Sequence, residues 1–235
     1  MAWIYLVRHA QASFLTENYD RLSDEGRVQA RLLGQEFARC GIDFDYAITG
    51  SLLRQQQTAG LILDASGAAN PPTIEERPGL DEFYPEVWTG IAKELAREDA
   101  ELRTHLLTLR TKDDKPHSEK WDSYLTLTIA IMSAWVENRF PELEIESFEA
   151  FSARVMGAVE KLPGTEESKI LIVSSSTPSS MLVGHGLQLK PAESLRFMRY
   201  LYNTSWSILR SVGPLFDTVS FNDFTHLKPA QVTMI

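Results

Sequence analysis

About the first sixty residues alternate between short apolar runs and longer amphipathic segments, and this order constrains the fold more than any other feature of the chain. Ala2–Val7 is an apolar run rich in β-forming side chains, which is typical of a buried strand. The next segment has apolar side chains at helical spacing, with Ser23 placed to cap it and Gly41 to end it. A second strand is predicted at Phe44–Thr49 and a second helix at Ser51–Leu63. Strand–helix–strand–helix order favours right-handed crossovers and a parallel sheet, so we expect an α/β fold.

The middle of the chain, from about residue 85 to 150, favours helix and differs from what precedes it. We interpret it as a helical insertion that lies over the carboxyl-terminal edge of the sheet. Its polar stretch Thr111–Ser118 is expected to be an exposed loop. Beyond it, Phe148–Leu162 is amphipathic, Lys169–Val173 has the composition of a central strand, and a serine-rich turn leads to a helix from about Pro178. The last fifty residues or so alternate as strands do.

Composition and charge limit the partners of the chain. Its length is compatible with one domain, 1–235, that carries the insertion. The 23 Lys and Arg residues against 32 Asp and Glu leave a net charge of −9 and no basic stripe, so nucleic acid is not an expected partner. The longest apolar run, Leu125–Val136, is too short to cross a membrane, and Met1–Val7 lacks the features of a secretory signal. The one cysteine, Cys40, excludes an internal disulfide and is expected to pack as a small apolar side chain, and these features together predict a cytoplasmic protein without a membrane partner.

An arginine and a histidine, Arg8 and His9, stand directly after the first predicted strand. The carboxyl ends of parallel strands are where α/β proteins usually bind ligands. A neutral histidine can act as a nucleophile toward phosphorus, and an adjacent guanidinium can bind phosphoryl oxygens in a bidentate manner. The pair is equally compatible with a surface arginine beside a hydrogen-bonded structural histidine. A further candidate is Arg54, which follows the second predicted strand at the start of a helix, where N–H groups and the helix dipole favour phosphate.

These segments resemble the histidine phosphatase superfamily, in its phosphoglycerate mutase-like small branch. The resemblance rests on motifs spread over most of the chain outside the insertion: Arg8-His9, Leu22–Arg27, Arg54 with Thr58-Ala59, Leu80–Glu82, Ile170–Ser174, Asn203–Ser205 and Phe221–Asp223. It implies a three-layer α/β/α sandwich with a mostly parallel central sheet and a phosphate pocket at the carboxyl edge of that sheet. It also implies that His9 attacks phosphorus through Nε2, that Arg8 and Arg54 hold the phosphoryl oxygens, and that Glu82 is the proton donor, with no metal or cofactor required.

The sequence departs from the family pattern where the resemblance implies a second catalytic histidine. The predicted central strand ends in Ser174-Ser175-Ser176, so Ser175 is expected to stand where the family has that histidine. Loss of one preorganised donor from such a pocket lowers the rate by about 10²–10³. Three interpretations follow: a hydroxyl of Ser175 or Ser176 donates instead, His226 moves into the gap, or the protein binds a phosphorylated ligand without turning it over. A second departure is Ala10 in place of a glycine, which we expect to be tolerated.

The sequence thus predicts a phosphomonoester hydrolase that acts through phosphohistidine on a small phosphorylated substrate, at a rate reduced by the change at Ser175. The alternative is a catalytically silent module that binds a phosphorylated ligand. Hydrolysis is favoured over a mutase reaction, because a mutase must bind a product phosphate again and no extra basic residues stand near the motifs. The oligomeric state is open, with a dimer as one option.

Several residues next to these motifs are secondary candidates. Phe83, Tyr84 and Trp88 follow the predicted proton donor and are the aromatic residues best placed to contact an organic substrate. Gln11 and Ser174 belong to the motifs that follow the first and the central strand, and they are candidates for the phosphate pocket.

Overall fold

The computed structural model describes residues 2–13, 20–110, 117–212 and 215–234. Its strands and helices, in chain order, are β1 (Trp3–Arg8), α1 (Asp24–Arg39), β2 (Tyr46–Thr49), α2 (Leu53–Ser66), β3 (Ile74–Glu76), α3 (Pro85–Glu98), α4 (Ala100–Arg110), α5 (His117–Val136), α6 (Phe148–Val159), β4 (Lys169–Ser174), α7 (Ser176–Gly186), α8 (Pro191–Ser194), β5 (Trp206–Val212) and β6 (Leu215–Asp223). Short 3-10 helices cover Pro78–Leu80, Leu195–Phe197 and Pro229–Gln231. The chain divides into two compact units, one made of Met1–Glu82 with Arg154–Ile235 and the other of Phe83–Ala153.

The first unit is built on a six-stranded sheet with the order β3-β2-β4-β1-β5-β6. The strands β3, β2, β4 and β1 run parallel, whereas β5 is antiparallel to β1 and β6 is antiparallel to β5. β4 lies in the interior of the sheet between β2 and β1, as its unbroken apolar sequence predicts. The prediction of a mostly parallel sheet is confirmed, and the last two strands make the sheet a mixed one.

Helices cover both sides of this sheet. Alternate side chains of β1 face opposite sides, and Tyr5 and Val7 belong to a core cluster with Leu33 and Phe37 of α1 and Ile62 of α2. The rings of Tyr5 and Phe37 meet edge to face with centroids 5.9 Å apart, a geometry that adds to the gain from burying both rings. α1 and α2 therefore cover one side, and α7, which contacts β1, β5 and β6, covers the other. The three-layer α/β/α arrangement is confirmed.

Both ends of α1 show how well local signals locate a helix. The helix begins at Asp24, and the Ser23 hydroxyl accepts a hydrogen bond from the Gly26 N–H at 3.0 Å, as the predicted cap requires. Gly41 follows the helix with a φ of 65°, which glycine adopts without strain. Cys40, however, is exposed. The prediction of a packed thiol is wrong, because the last turn of the helix faces solvent.

α7 begins at Ser176, two residues ahead of the predicted start at Pro178. A proline in the first turn of a helix gives up no hydrogen bond, because the N–H groups there have no partner within the helix. The predicted serine-rich turn is therefore short, and Ser175 is the residue that directly precedes the helix. The sequence does not predict β3, since three residues are too few to show an alternating pattern.

The second unit is helical, as predicted, and contains α3, α4, α5 and the first part of α6. Its core includes Trp135, whose ring lies 5.5 Å from that of Phe83 and 5.1 Å from that of Phe151 between centroids. Phe83 thus contributes to the packing of this unit, whereas Tyr84 is 58% exposed. In the predicted loop Thr111–Ser118, residues 111–116 lie outside the described residues. The single domain and the position of the insertion over the sheet edge stay predictions.

Candidate active site

Strand register brings three predicted motifs to one edge of the sheet. Arg8, the last residue of β1, pairs with Ser174, the last residue of β4. Thr49 at the end of β2 pairs with Val173, the preceding residue of β4. The His9 N–H donates to the Ser174 carbonyl at 2.8 Å, which continues the β1–β4 pairing by one residue. The residues that follow these three strands therefore meet at the carboxyl edge of the parallel part of the sheet.

His9 is a buried histidine with a defined tautomer, and the residue is 6% exposed. Nδ1 lies 2.7 Å from the Ala10 carbonyl oxygen, which can only accept, so Nδ1 carries the proton. Nε2 lies 3.2 Å from Nε of Arg54, which can only donate, so Nε2 presents its lone pair. Burial, followed by the charges of Arg54 and Arg8, holds the pKa of His9 well below 6.5. The ring is therefore neutral at neutral pH, and Nε2 is its nucleophilic atom.

Arg54 is held in place by the carboxylate of Asp20. Its Nη1 lies 2.7 Å from Asp20 Oδ1, and the N–H of Leu53, the first residue of α2, donates to Asp20 Oδ2 at 2.8 Å. A guanidinium and a helix N-terminus together favour an anion. The carboxylate of Asp20 thus lies where the positive charge of Arg54 and the N-terminus of α2 favour an anion, which is also what a phosphoryl group requires. Arg54 is the same residue that contacts His9. Nothing in the sequence marks Asp20 beyond the general preference of helix N-termini for acidic groups.

The guanidinium of Arg8 contacts two backbone carbonyls near the end of the chain. Nη1 donates to the Leu201 carbonyl at 2.5 Å and Nη2 donates to the Met234 carbonyl at 2.6 Å. The Thr204 N–H donates to the Arg8 carbonyl at 3.1 Å, and Thr204 has a φ of 57°, which is strained for a β-branched residue. These contacts join the end of β1 to the C-terminal segment. The predicted role of Arg8 in holding phosphoryl oxygens stays a prediction.

Glu82 lies at the N-terminus of α7. Its Oε2 accepts hydrogen bonds from the Thr177 N–H and the Ser176 hydroxyl, each at 3.2 Å. The loop that carries Glu82 is held by Arg154 of α6, whose guanidinium donates to the carbonyls of residues 79, 81 and 82 at 2.8–3.2 Å. Since Ser176 directly follows Ser175, the carboxyl of Glu82 and the hydroxyl of Ser175 belong to the same helix N-terminus.

Ser174 and Ser175 are wholly buried, and their hydroxyls have different partners. The Ser174 hydroxyl donates to the Leu80 carbonyl at 2.7 Å. The Ser175 hydroxyl accepts a hydrogen bond from Nε2 of Gln55 at 2.9 Å. Gln55 lies in the first turn of α2 and is also wholly buried. It stands in a run of three glutamines, so the sequence alone does not indicate which of them reaches the site.

The structure gives Gln11 and His226 partners outside the group around His9. Oε1 of Gln11 accepts from the Ser23 hydroxyl at 2.8 Å, which joins the end of β1 to the start of α1. Nε2 of His226 lies 3.0 Å from the Thr204 hydroxyl. These contacts support structural roles for both residues, and a role of either in phosphate binding stays a prediction.

Ala10 fits the turn after β1 although it stands where the resemblance implies a glycine. It is fully buried and packs with Leu22 and Ala30. Its backbone does not adopt a positive φ, and its N–H donates to the Thr58 hydroxyl at 3.0 Å. A methyl group is therefore accommodated here, as predicted.

The second histidine with a displaced pKa yields a stability prediction. Burial lowers the pKa of His226 to about 4, and the nearby carboxylates of Asp223 and Glu36 oppose this effect without cancelling it. Between about pH 6.5 and pH 4 the unfolded chain binds a proton at this position and the folded protein does not, so stability falls as the pH falls. We expect His226→Asn to flatten this dependence by up to about 1.4 kcal/mol per pH unit. Urea denaturation across this window measures the slope, and equal slopes for both proteins would contradict a ring that stays neutral in the folded protein.

Residues 2–13, 20–110, 117–212 and 215–234 contain no group of three or more His, Cys, Asp or Glu side chains that could hold a metal ion. Within the same ranges, every helix is too short or too polar to cross a bilayer.

A neutral histidine whose Nε2 faces an arginine, with a carboxyl and serine hydroxyls at an adjacent helix N-terminus, is a set of groups suited to phosphoryl transfer. The sheet presents them at its carboxyl edge, where α/β proteins bind their ligands. The chain belongs to the histidine phosphatase superfamily (branch 1), whose family model matches residues 4–126 and 113–223. The resemblance drawn from the motifs is thereby confirmed, and the substitution of Ser175 for a family histidine stays a prediction.

Individual proteins show the same relationship. The 2,3-bisphosphoglycerate-dependent phosphoglycerate mutase of Methylobacterium radiotolerans is 32% identical over 100 residues, which are 40% of this chain and 47% of that protein. The chain thus spans about half the length of the curated relatives it matches. Bacillus stearothermophilus YhfR has a TM-score of 0.65 at 20% identity, over 96% of this chain and 99% of that one. The phosphoserine phosphatase of Entamoeba histolytica, in complex with 3-phosphoglyceric acid, has a TM-score of 0.61 at 18% identity, over 97% and 100%, and both structures share the fold.

Proposed function

We propose that this protein hydrolyses phosphomonoesters of small organic molecules through a phosphohistidine at His9. The observation that carries the proposal is the state of His9, a buried neutral ring whose Nε2 lone pair faces the guanidinium of Arg54. A nucleophile in this state needs no base to activate it, and the arginine can stabilise charge on the phosphoryl oxygens. Membership of the histidine phosphatase superfamily supports the same chemistry.

In the first step, the lone pair of His9 Nε2 forms a bond to phosphorus as the bond from phosphorus to the ester oxygen breaks. The leaving oxygen keeps the electron pair of that bond and receives a proton from Glu82, which lies at the N-terminus of α7. Arg54 exchanges its contact with Asp20 for the phosphoryl oxygens, and Ser175 supplies a hydrogen bond where the resemblance implies a histidine. The products of this step are the alcohol and phosphohistidine.

In the second step, the ionised Glu82 takes a proton from a water molecule as that water attacks phosphorus. The bond between Nε2 and phosphorus breaks, its electron pair returns to Nε2, and inorganic phosphate leaves. The ring is positively charged while it is phosphorylated, and the Ala10 carbonyl that accepts from Nδ1–H stabilises this charge. His9 ends neutral and Glu82 ends protonated, so both return to their starting states.

Charge supports hydrolysis of a small substrate with one phosphate. The Methylobacterium radiotolerans relative is named a mutase, and a mutase must bind a second phosphate. The anion site at Arg54 already includes the carboxylate of Asp20, which opposes a second anion. A net charge of −9 also disfavours nucleic acids and multiply phosphorylated substrates. The proposal includes a cytoplasmic location, which the lone cysteine supports.

A catalytically silent module that binds a phosphorylated ligand is the second candidate. It is favoured by the serine at position 175, where the resemblance implies a catalytic imidazole. Binding of a phosphorylated ligand requires only the anion site, whereas turnover also requires His9 and Glu82.

The test is steady-state hydrolysis of an aryl phosphate from pH 5 to 8 by the parent protein, Ser175→His and Ser175→Asn. We expect slow turnover by the parent protein. Ser175→His is expected to be about tenfold faster at the acid end of the range, because a charged donor makes a stronger hydrogen bond than a neutral one. A further variant combines Ser175→His with Gln55→Ala, which removes the side chain that contacts Ser175.

Ser175→Asn is the control for side-chain size, and no gain is expected from it. An absence of turnover in every form, with inorganic phosphate still bound by the parent protein, would contradict hydrolysis and support the silent module.

A further inference from the structure

The Ser175 hydroxyl does not cap the helix that it precedes. Ser175 is the N-cap residue of α7, yet its side chain makes no capping hydrogen bond. Serine is common at this position because its hydroxyl accepts from an N–H of the first turn. Here the hydroxyl accepts instead from Nε2 of Gln55, at 2.9 Å and in a wholly buried place. It is therefore held by α2 rather than by its own helix.

The partners of Gln55 define the orientation of its carboxamide. Nε2 also donates to the Leu80 carbonyl at 3.2 Å, and a carbonyl can only accept, so the nitrogen rather than the oxygen faces Leu80. The two N–H bonds of the amide are then used on Leu80 and Ser175. On the other side, a Cβ at residue 50 would collide with Gln55 Oε1, so Gly50 provides the room in which the carboxamide lies.

This hydrogen bond determines where the Ser175 proton can go. A hydroxyl has one O–H bond and two lone pairs. Gln55 faces Ser175 with a donor, and the Leu80 carbonyl already accepts from both Ser174 and Gln55. Among the residues that the structure describes, Ser175 makes no hydrogen bond in which it donates. Its proton is therefore available to a group bound at the carboxyl edge of the sheet.

We infer that Gln55 is a positioning residue that holds the Ser175 hydroxyl as a donor to the phosphoryl oxygens. This inference rests on the proposed function and names the residue through which a serine can act where the resemblance implies a histidine. A hydroxyl that rotates can present a lone pair to a phosphoryl oxygen, which is repulsive. A hydroxyl that already accepts from Gln55 presents its proton, and an oriented donor stabilises developing charge without reorganisation.

The test is a double-mutant cycle over Gln55→Met and Ser175→Ala. One readout is the dissociation constant for orthovanadate, which imitates a phosphoryl group under attack. The other is kcat/KM for an aryl phosphate. We expect each single variant to raise the dissociation constant for orthovanadate and to lower kcat/KM, each by about tenfold. This is the effect of losing one neutral hydrogen bond. The double variant is expected to lose no more vanadate affinity and no more activity than Ser175→Ala alone, because Gln55 acts through Ser175.

A second change at the same position reverses the polarity of the contact. Gln55→Glu keeps the length of the side chain, and its ionised carboxylate accepts the Ser175 proton instead of donating to the hydroxyl. We expect a loss at least as large as that of Gln55→Met, which becomes smaller as the pH is lowered and the carboxylate takes up a proton. In the Ser175→Ala background, the losses caused by Gln55→Met and by Gln55→Glu should both disappear. A purely structural role of Gln55 would leave these losses in place.

Gln56→Met is the matched control, because Gln56 lies on the same helix and donates to the Ser51 carbonyl at 3.0 Å near the surface. It should leave vanadate binding and activity unchanged. Additive losses in the cycle, or a Gln55→Met protein that folds and binds vanadate as the parent does, would overturn the inference. The vanadate measurement does not depend on turnover. A His9→Ala protein that retains turnover would instead contradict the proposed function, so the two failures are distinct.

Discussion

Replacing His9 with alanine is expected to abolish phosphoryl transfer, with a loss of at least about 10⁴-fold in kcat. The reason is that, in the mechanism proposed above, Nε2 of His9 forms the bond to phosphorus, whereas Arg54 stabilises charge and Glu82 supplies a proton. Hydrolysis of an aryl phosphate measures the loss. Labelling with an aryl phosphate that carries radioactive phosphorus measures the intermediate: the parent protein should carry an acid-labile, base-stable phosphoryl group, and the variant should carry none.

Controls separate this loss from unfolding. His9 is buried, so alanine leaves a cavity, and His9→Asn fills more of that space without supplying a nucleophile. Thermal denaturation establishes that both proteins are folded. His105→Asn is the matched histidine control, because Nδ1 of His105 lies 3.1 Å from the Ser123 hydroxyl within the second unit, and we expect it to keep full activity. Turnover within about tenfold of the parent in both folded His9 variants would exclude the phosphohistidine route.

The fold and the candidate nucleophile, His9, can be predicted because their signals are local in the sequence. Ala2–Val7 is an uninterrupted apolar run, and His9 follows directly, so one short segment indicates both a buried strand and the residue at its carboxyl end. Parallel strands end at the same edge of a sheet, which is why Arg54 and Ser175 are expected near His9. The observed register of β1, β2 and β4 confirms that the segments after these strands meet at one edge.

The contacts within the site cannot be predicted in the same way, since they depend on packing between distant segments. Asp20 and Gln55 are ordinary polar residues in sequence, and their partners Arg54 and Ser175 lie 34 and 120 positions further along the chain. Arg8 shows the converse. Its place in a motif indicates phosphate binding, yet its guanidinium contacts backbone carbonyls 193 and 226 positions away.

Changing Glu82 to glutamine is expected to separate the two chemical steps. For alkyl phosphates we expect kcat to fall by about 10²–10⁴-fold, because the leaving alkoxide then has no proton donor. A nitrophenyl phosphate releases a stable phenolate without a proton, so its first step should persist. The second step still lacks the base that takes a proton from water, so phosphohistidine should accumulate. Rapid mixing should therefore show a burst of nitrophenol equal to the protein concentration, followed by slow turnover.

Glutamine at this position keeps the geometry of the loop, which makes the burst a specific readout. Its amide oxygen can still accept from the Thr177 N–H and the Ser176 hydroxyl, and the substitution keeps the backbone carbonyls of the loop to which Arg154 donates. Glu76→Gln is the control, because it removes an exposed carboxylate six positions before Glu82. It should leave the turnover of both the alkyl and the nitrophenyl phosphate unchanged. Equal losses for alkyl and nitrophenyl esters without a burst would assign Glu82 to positioning alone, because only a proton donor makes the loss depend on the leaving group.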